Sequence, residues 1–195
     1  MARLGKKKNR VTEKILIFVE GSETEPNYLK VLKKKLRWHN VDVHSLQSLG
    51  RGKDWVQKAK RLLNSQRLAQ VQQEAVYVLF DHDGMKRDQY EMLLASAQKE
   101  SFKVVFSNVS FEIWLLAHYQ EIFKTQYDND MVKQKLSEYI KGSYSKADAI
   151  LMAQLAQKHE LALKNTQKVR TSSYEYNCTN VGDMIEEITV HRKRA

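Results

Sequence analysis

Apolar residues recur along the chain in two rhythms, one continuous and one spaced by three or four. Residues 14 to 20, KILIFVE, form an unbroken β-branched and aromatic run, the pattern of a strand covered on both faces. The run stops at Gly21. In the following SETEPNYLKVLKKKLR, Leu29, Leu32 and Leu36 recur at helical spacing, Ser22 and Glu25 stand at the spacing of a capping box, and Pro26 falls in the first turn, where its missing N–H is tolerated. The same unit repeats. VDVHSL at 41–46 alternates as a strand, Gly50 and Gly52 interrupt, and 54–71 reads as a helix with Trp55, Ala59, Leu62 and Leu63 on one face. AVYVLFD at 75–81 predicts a buried strand and 86–99 a helix; FKVVFSN at 102–108 predicts another strand, before a short apolar helix from Ser110 to Tyr119. Alternation of this kind predicts an α/β fold, a mainly parallel sheet with helices on both faces.

The strand signal disappears after about residue 125. Residues 130–141 and 145–165 read as helices, TSSYEYNCT as a polar connection and NVGDMIEEITVHR as a final helix. With 195 residues, 42% of them hydrophobic, the chain can bury one substantial core. The expected organisation is a basic arm at 1–11, a single domain at 12–190 and a basic tail at 191–195. Within the domain the sheet core covers about 14–125 and the helical part about 126–190.

Charge changes the picture at the ends. The net charge is +10, of which Arg3, Lys6, Lys7, Lys8 and Arg10 at one end and Arg192, Lys193 and Arg194 at the other supply all but two. Such tails are either solvated arms or sequence-independent contacts to nucleic-acid phosphates. Cys178 is the only cysteine, which excludes an intramolecular disulfide and a thiolate zinc site. His39, His44, His118, His159 and His191 have no paired ligand spacing, and G-x-S-x-G and Walker A sequences are absent. The longest apolar runs, ILIFV and IWLLA, fall far short of the roughly 18 residues a membrane span needs. No secretory h-region follows the basic N-terminus, so the expected location is the cytoplasm.

Chemistry enters at the strand ends. Glu20 closes the first strand and Asp81 the third, and ligands of open parallel sheets gather at the carboxyl ends of strands. Asp81 and Asp83 point the same way if extended geometry persists through His82, which itself points away. A magnesium ion held by one or two carboxylates, with waters and a substrate phosphate, suits this supply of oxygens. The alternative is turn chemistry alone, since Asp-His-Asp-Gly is a good turn sequence. Lys53, Lys86 and Arg87, near strand ends, are candidates for phosphate contact or ordinary solvated cations.

The run VLFDHDG resembles the first motif of haloacid-dehalogenase-type phosphatases, but stands on the third strand and is followed by Met85. The order strand-Glu-Gly, then strand-Asp-x-Asp, resembles a Toprim domain. More specifically, IFVEGSETEPNYLKVL, VLFDHDG, FSNVSFEIWLLAHY and NCTNVGDMIEEI resemble, in that order, the RloB-like family of prokaryotic defence proteins, related to OLD-family nucleases. The resemblance implies a Toprim-like (Rossmann-like) fold with a helical C-terminal extension. It makes Glu20 the Toprim glutamate, Asp81 and Asp83 the metal-binding pair, Glu25 an additional ligand and Glu112 a further family position. Glu112 also suits a helix N-terminus on dipole grounds alone. Asn108-Val109 and Asn177-Cys178 stand where the family usually has Asn-Pro, a difference of backbone stiffness rather than chemistry.

The expectation that follows is a Mg2+- or Mn2+-dependent endonuclease cutting DNA or RNA, possibly tRNA, with Glu20, Asp81 and Asp83 catalytic. The resemblance also implies an RloA-like ATPase partner and a role as effector of abortive phage defence. The alternatives are a non-catalytic nucleic-acid-binding or regulatory subunit of such a system, and a small-molecule phosphatase.

Overall fold

The structure, a computed structural model, describes residues 13–49, 54–65, 68, 70–140 and 144–194, with side chains as far as residue 190. The basic arm at 1–11, the side chains of the basic tail and Lys53 lie outside the described residues. Thirteen elements follow in the order β1 (Lys14–Val19), α1 (Thr24–Lys35), β2 (Val41–Ser45), α2 (Trp55–Leu63), β3 (Gln73–Asp81), α3 (Arg87–Lys99), β4 (Lys103–Asn108), α4 (Glu112–Leu116), α5 (Asn129–Ile140), α6 (Ala149–Gln157), α7 (His159–Asn165), β5 (Cys178–Thr179) and α8 (Val181–Arg194), with one short 3₁₀ turn at Gln47–Leu49.

The five strands form one sheet in the order β2-β1-β3-β4-β5, parallel except for the last. Ile15, Leu16, Ile17, Phe18 and Val19 are all at most 2% exposed, as are Tyr77 to Phe80. Consecutive residues of a strand face opposite ways, so both faces of the two central strands are covered. Right-handed crossovers put α1, which leads from β1 out to β2, on one face, and α2 and α3, which lead the other way, on the opposite face. The helical C-terminal part packs onto this frame: α6 contacts α1, α8 contacts β4, and the buried α4 contacts α5 and α7. No helix among the described residues is long and apolar enough to cross a membrane.

Four sequence expectations need correction. The helix expected over 54–71 ends at Leu63, Asn64 N–H closing the last turn on the Lys60 carbonyl and Ser65 N–H a tighter one on Leu62. The helix expected over 145–165 starts only at Ala149, capped by Asp148, and is two, broken at Lys158, where Lys35 Nζ donates to the Ala156 and Gln157 carbonyls at 3.3 and 2.7 Å. The apolar helix expected from Ser110 to Tyr119 is regular only over α4, the rest being turns. The polar connection contains β5, antiparallel to Ser107 and Asn108 and tied by Ser107 Oγ to Thr179 Oγ1 at 3.0 Å. Two residues are too few to leave a periodic signal.

Asn177 fixes this last segment. Only 1% exposed, it accepts from Thr125 Oγ1 at 2.9 Å and donates to the Tyr127 and Asn108 carbonyls at 3.0 and 3.3 Å. Asn177→Ala leaves buried polar groups unpaired and is expected to cost about 1–3 kcal/mol. Urea unfolding reads this as a lower midpoint at unchanged slope; an unmoved midpoint would mean these bonds add nothing.

Candidate active site

β1 and β3 lie side by side and parallel, so their carboxyl ends meet at one edge. Their onward connections leave in opposite directions, towards β2 and β4. This makes the β1–β3 junction a switch point, where an open parallel sheet opens a crevice. Glu20 directly follows β1 and Asp81 ends β3, and the Asp81 backbone N–H donates to Glu20 Oε2 at 3.1 Å.

Beyond Asp81 the chain turns instead of staying extended. Met85 N–H donates to the His82 carbonyl at 2.7 Å, and Asp83 and Gly84 have φ of 35° and 65°. These left-handed values cost glycine nothing and aspartate less than most residues. Asp83 thereby lines the same pocket as Asp81, by a turn and not by the strand alternation expected from sequence. His82 goes the other way, its ring centroid 4.7 Å from that of Tyr174.

Glu25 corrects another expectation. Helix α1 begins at Thr24, with Glu23 as N-cap and no side-chain cap bond, so Ser22 and Glu25 form no capping box. Glu25 bends back and accepts from the Gly21 N–H at 3.3 Å. A Cβ at residue 21 would stand 2.7 Å from Glu25 Oε1; the absence of a side chain there is what lets the carboxylate approach. Glu112 opens α4 at 2% exposure, accepts from Tyr144 OH at 3.0 Å and lies 3.8 Å from Lys146 Nζ.

Glu20, Glu25, Asp81, Asp83 and Glu112 thus line one pocket of about 350 Å³, which Lys133 and Lys146 share. Four buried side-chain polar atoms lining it have no hydrogen-bond partner: Asp81 Oδ1, Ser110 Oγ, Asn129 Oδ1 and Trp55 Nε1. Buried polar atoms are normally satisfied, so four in one pocket call for a partner from outside the protein, water or ligand.

The electrostatics agree. Burial holds the Asp81 carboxyl well above the usual aspartate range, and the charges of Glu25, Glu20 and Glu112 push further the same way, against one Phe111 backbone N–H. Burial likewise raises Glu25, helped by Glu112 and opposed by backbone N–H groups and Lys146. Burial and then the Glu112 charge push the Tyr144 hydroxyl up, so it stays protonated as a donor. Among the described residues, however, no three His, Cys, Asp or Glu side chains are already arranged to hold a metal ion. The acids share a pocket, but Glu20 and Glu25 are turned towards backbone N–H groups.

The expected phosphate contacts fare differently. Lys86 and Arg87 do not line this pocket; Arg87 pairs with Glu175 and stands over the Tyr174 ring. The pocket cations are Lys133 on α5 and Lys146 in the loop before α6, which sequence reasoning missed together with Tyr144, Ser110 and Asn129. A lysine on a helix surface carries no signal of what it faces. Ser110, next to the family-like FEIW segment, was the most findable of them.

No functionally curated protein matches the chain. Residues 15–188, nearly all of it, match the family described as RloB-like protein. With its acids gathered at the β1–β3 switch point, the chain belongs to the RloB-like family.

Proposed function

We propose that the chain is a divalent-metal-dependent nuclease of the Toprim type, hydrolysing phosphodiester bonds of DNA or RNA. The observation that carries this is Asp81 Oδ1, buried and without a partner in a pocket lined by five further carboxylates, those of Glu20, Glu23, Glu25, Asp83 and Glu112. A group so placed favours a cation over water, and hard oxygen donors suit Mg2+ or Mn2+. Asp81 and Asp83 would hold such an ion, with Glu20, Glu25 and Glu112 completing or extending the set.

A bound divalent ion would supply charge neutralisation and polarisation of the phosphate. The remaining work belongs to the chain. Glu20, its Oε2 now held by the Asp81 N–H, is the candidate general base or acid for water. Tyr144 orients Glu112. Lys133 and Lys146 face the pocket and offset the negative charge of a phosphodiester. The role in phage defence, with an RloA-like ATPase partner, rests on resemblance to two-component systems whose other half is that ATPase.

The test is incubation of the chain, alone and with the partner ATPase, with tRNA, single-stranded and duplex substrates in Mg2+ or Mn2+. Metal-dependent cleavage is expected; absence of cutting in every combination contradicts the proposal. A second consequence concerns the pocket lysines. Replacing Lys133 and Lys146 together by alanine weakens single-strand binding and lowers the slope of log K against log salt by about 1.4, one phosphate contact each. An unchanged slope assigns these lysines elsewhere.

The non-catalytic reading, a nucleic-acid-binding or regulatory subunit, has one observation in its favour: among the described residues no three acids are preset for a metal. It predicts that substrate binding survives EDTA and that cleavage never appears.

A further inference from the structure

Across the Asp81–Asp83 turn lies a second, shallower pocket of about 250 Å³, lined by His82, Tyr127, Tyr174 and Tyr176. We propose that this pocket is a nucleobase subsite, which takes an unpaired base of a single-stranded polynucleotide whose backbone continues over the turn into the acidic pocket. The base-binding part stands alone; the continuation rests on the nuclease reading.

The two pockets share a wall at three points of the chain. His82 lines the aromatic pocket while Asp81 and Asp83 line the acidic one, and Val109 and Ser110, and Asp128 and Asn129, divide between them in the same way. The pockets therefore lie back to back across the Asp81–Asp83 turn.

The lining favours a flat, neutral, polarisable ligand. Each tyrosine has a cation near its ring: Arg87 at 5.0 Å from the Tyr174 centroid, Lys124 at 5.0 Å from Tyr176 and Lys135 at 5.2 Å from Tyr127. Aromatic faces interleaved with cations are the arrangement by which proteins stack bases while neutralising the adjoining phosphates. The pocket itself is no anion hole, because Asp128 and Glu175 line it. A phosphate is therefore disfavoured in its interior and drawn to Lys124 and Lys135 outside, Arg87 being paired with Glu175, while base amino groups find acceptors.

The Tyr174 ring and the backbone around the pocket are also held in place. Tyr174 OH donates to the Met85 carbonyl at 2.6 Å, and Asn108 Nδ2 donates to the Ser173 and Tyr174 carbonyls at 3.2 and 2.9 Å. Asn177 ties the Tyr127 backbone to the end of β4. A base entering here meets a backbone frame and one ring already fixed, which lowers the ordering cost.

The experiment is fluorescence anisotropy in EDTA with the full chain and labelled ten-nucleotide oligouridine, oligothymidine and a hairpin duplex. Wild type is expected to prefer the single strands. Tyr176→Ala and Tyr127→Leu should each weaken single-strand binding about tenfold and erode the preference over duplex, whereas Tyr176→Phe keeps it within about twofold, as stacking requires. The RNA and DNA arms separate dependence on the 2′-hydroxyl from base stacking common to both. Melting curves accompany each variant, and Tyr127→Leu serves if Tyr176→Ala does not fold. Unchanged affinity in a folded alanine or leucine variant, failure of phenylalanine to restore binding, or no single-strand preference in wild type overturns the proposal. Because EDTA removes divalent ions, binding is read apart from cleavage. Tyrosine-dependent binding by a chain that never cuts upholds this subsite and sinks the nuclease reading; cleavage with tyrosine-independent binding does the reverse.

Discussion

Asp81→Asn is expected to abolish the proposed metal-dependent cleavage while making the metal-free protein more stable. The substitution keeps shape and removes charge. Loss of one preorganised electrostatic contact to the reacting centre costs about 10²–10³-fold in rate, and loss of a metal-binding carboxylate at least that. In the metal-free protein the same charge is a burden, since Asp81 is buried among Glu20, Glu25 and Glu112 and one of its oxygens has no partner. The asparagine amide introduces donors that those carboxylates accept. Relief of about 1 kcal/mol or more raises the melting temperature by roughly 2–4 °C for each kcal/mol in a chain of this size. Gel-based cleavage assays and thermal melts in EDTA measure the two halves. A variant both inactive and less stable would mark Asp81 as a structural residue whose loss damages the fold.

In EDTA, the wild-type protein is expected to lose stability as pH rises from the acid range towards neutrality. The folded-state proton affinities of Asp81 and Glu25 lie above their ordinary values of 3.8 and 4.5. The folded chain therefore keeps these protons to higher pH than the unfolded chain does. Their contribution is fully present below the unfolded values and is lost as pH rises through the folded ones. Asp81→Asn removes part of that slope. A divalent ion opposes it from the other side, because binding to the folded state alone adds about 2.7 kcal/mol at a hundredfold excess over Kd. Urea unfolding across pH, with and without Mn2+, checks both. A stability curve identical in wild type and Asp81→Asn would remove the charged cluster from the account.

Legibility in the sequence followed the strength of the local pattern. The first and third strands are apolar on both faces, and each run is closed by an acid, so Glu20 and Asp81 could be paired before any coordinates. That they meet depended on strand order, which the alternation of elements suggests but does not determine. Asp83 reached the right pocket for a different reason, a left-handed turn in place of extended backbone. Glu25 was named as a ligand through family resemblance alone, since by its spacing to Ser22 it reads as helix capping until the helix is seen to start at Thr24. Glu112 was likewise accessible only through family resemblance. Lys133, Lys146 and Tyr144 come from the helical part, where nothing periodic distinguishes a pocket residue from a solvated one. The aromatic pocket shows the same limit: Tyr127, Tyr174 and Tyr176 look scattered in sequence, and the Asn108 and Asn177 side chains bring their segments together.

The most direct test is calorimetric titration of Mn2+ into the metal-free chain, beside Asp81→Asn under identical conditions. A saturable site in wild type, lost or weakened at least tenfold by that one substitution in a folded variant, is the predicted result. Equal binding by the two proteins, or none by wild type under conditions in which it cleaves nucleic acid, would contradict it.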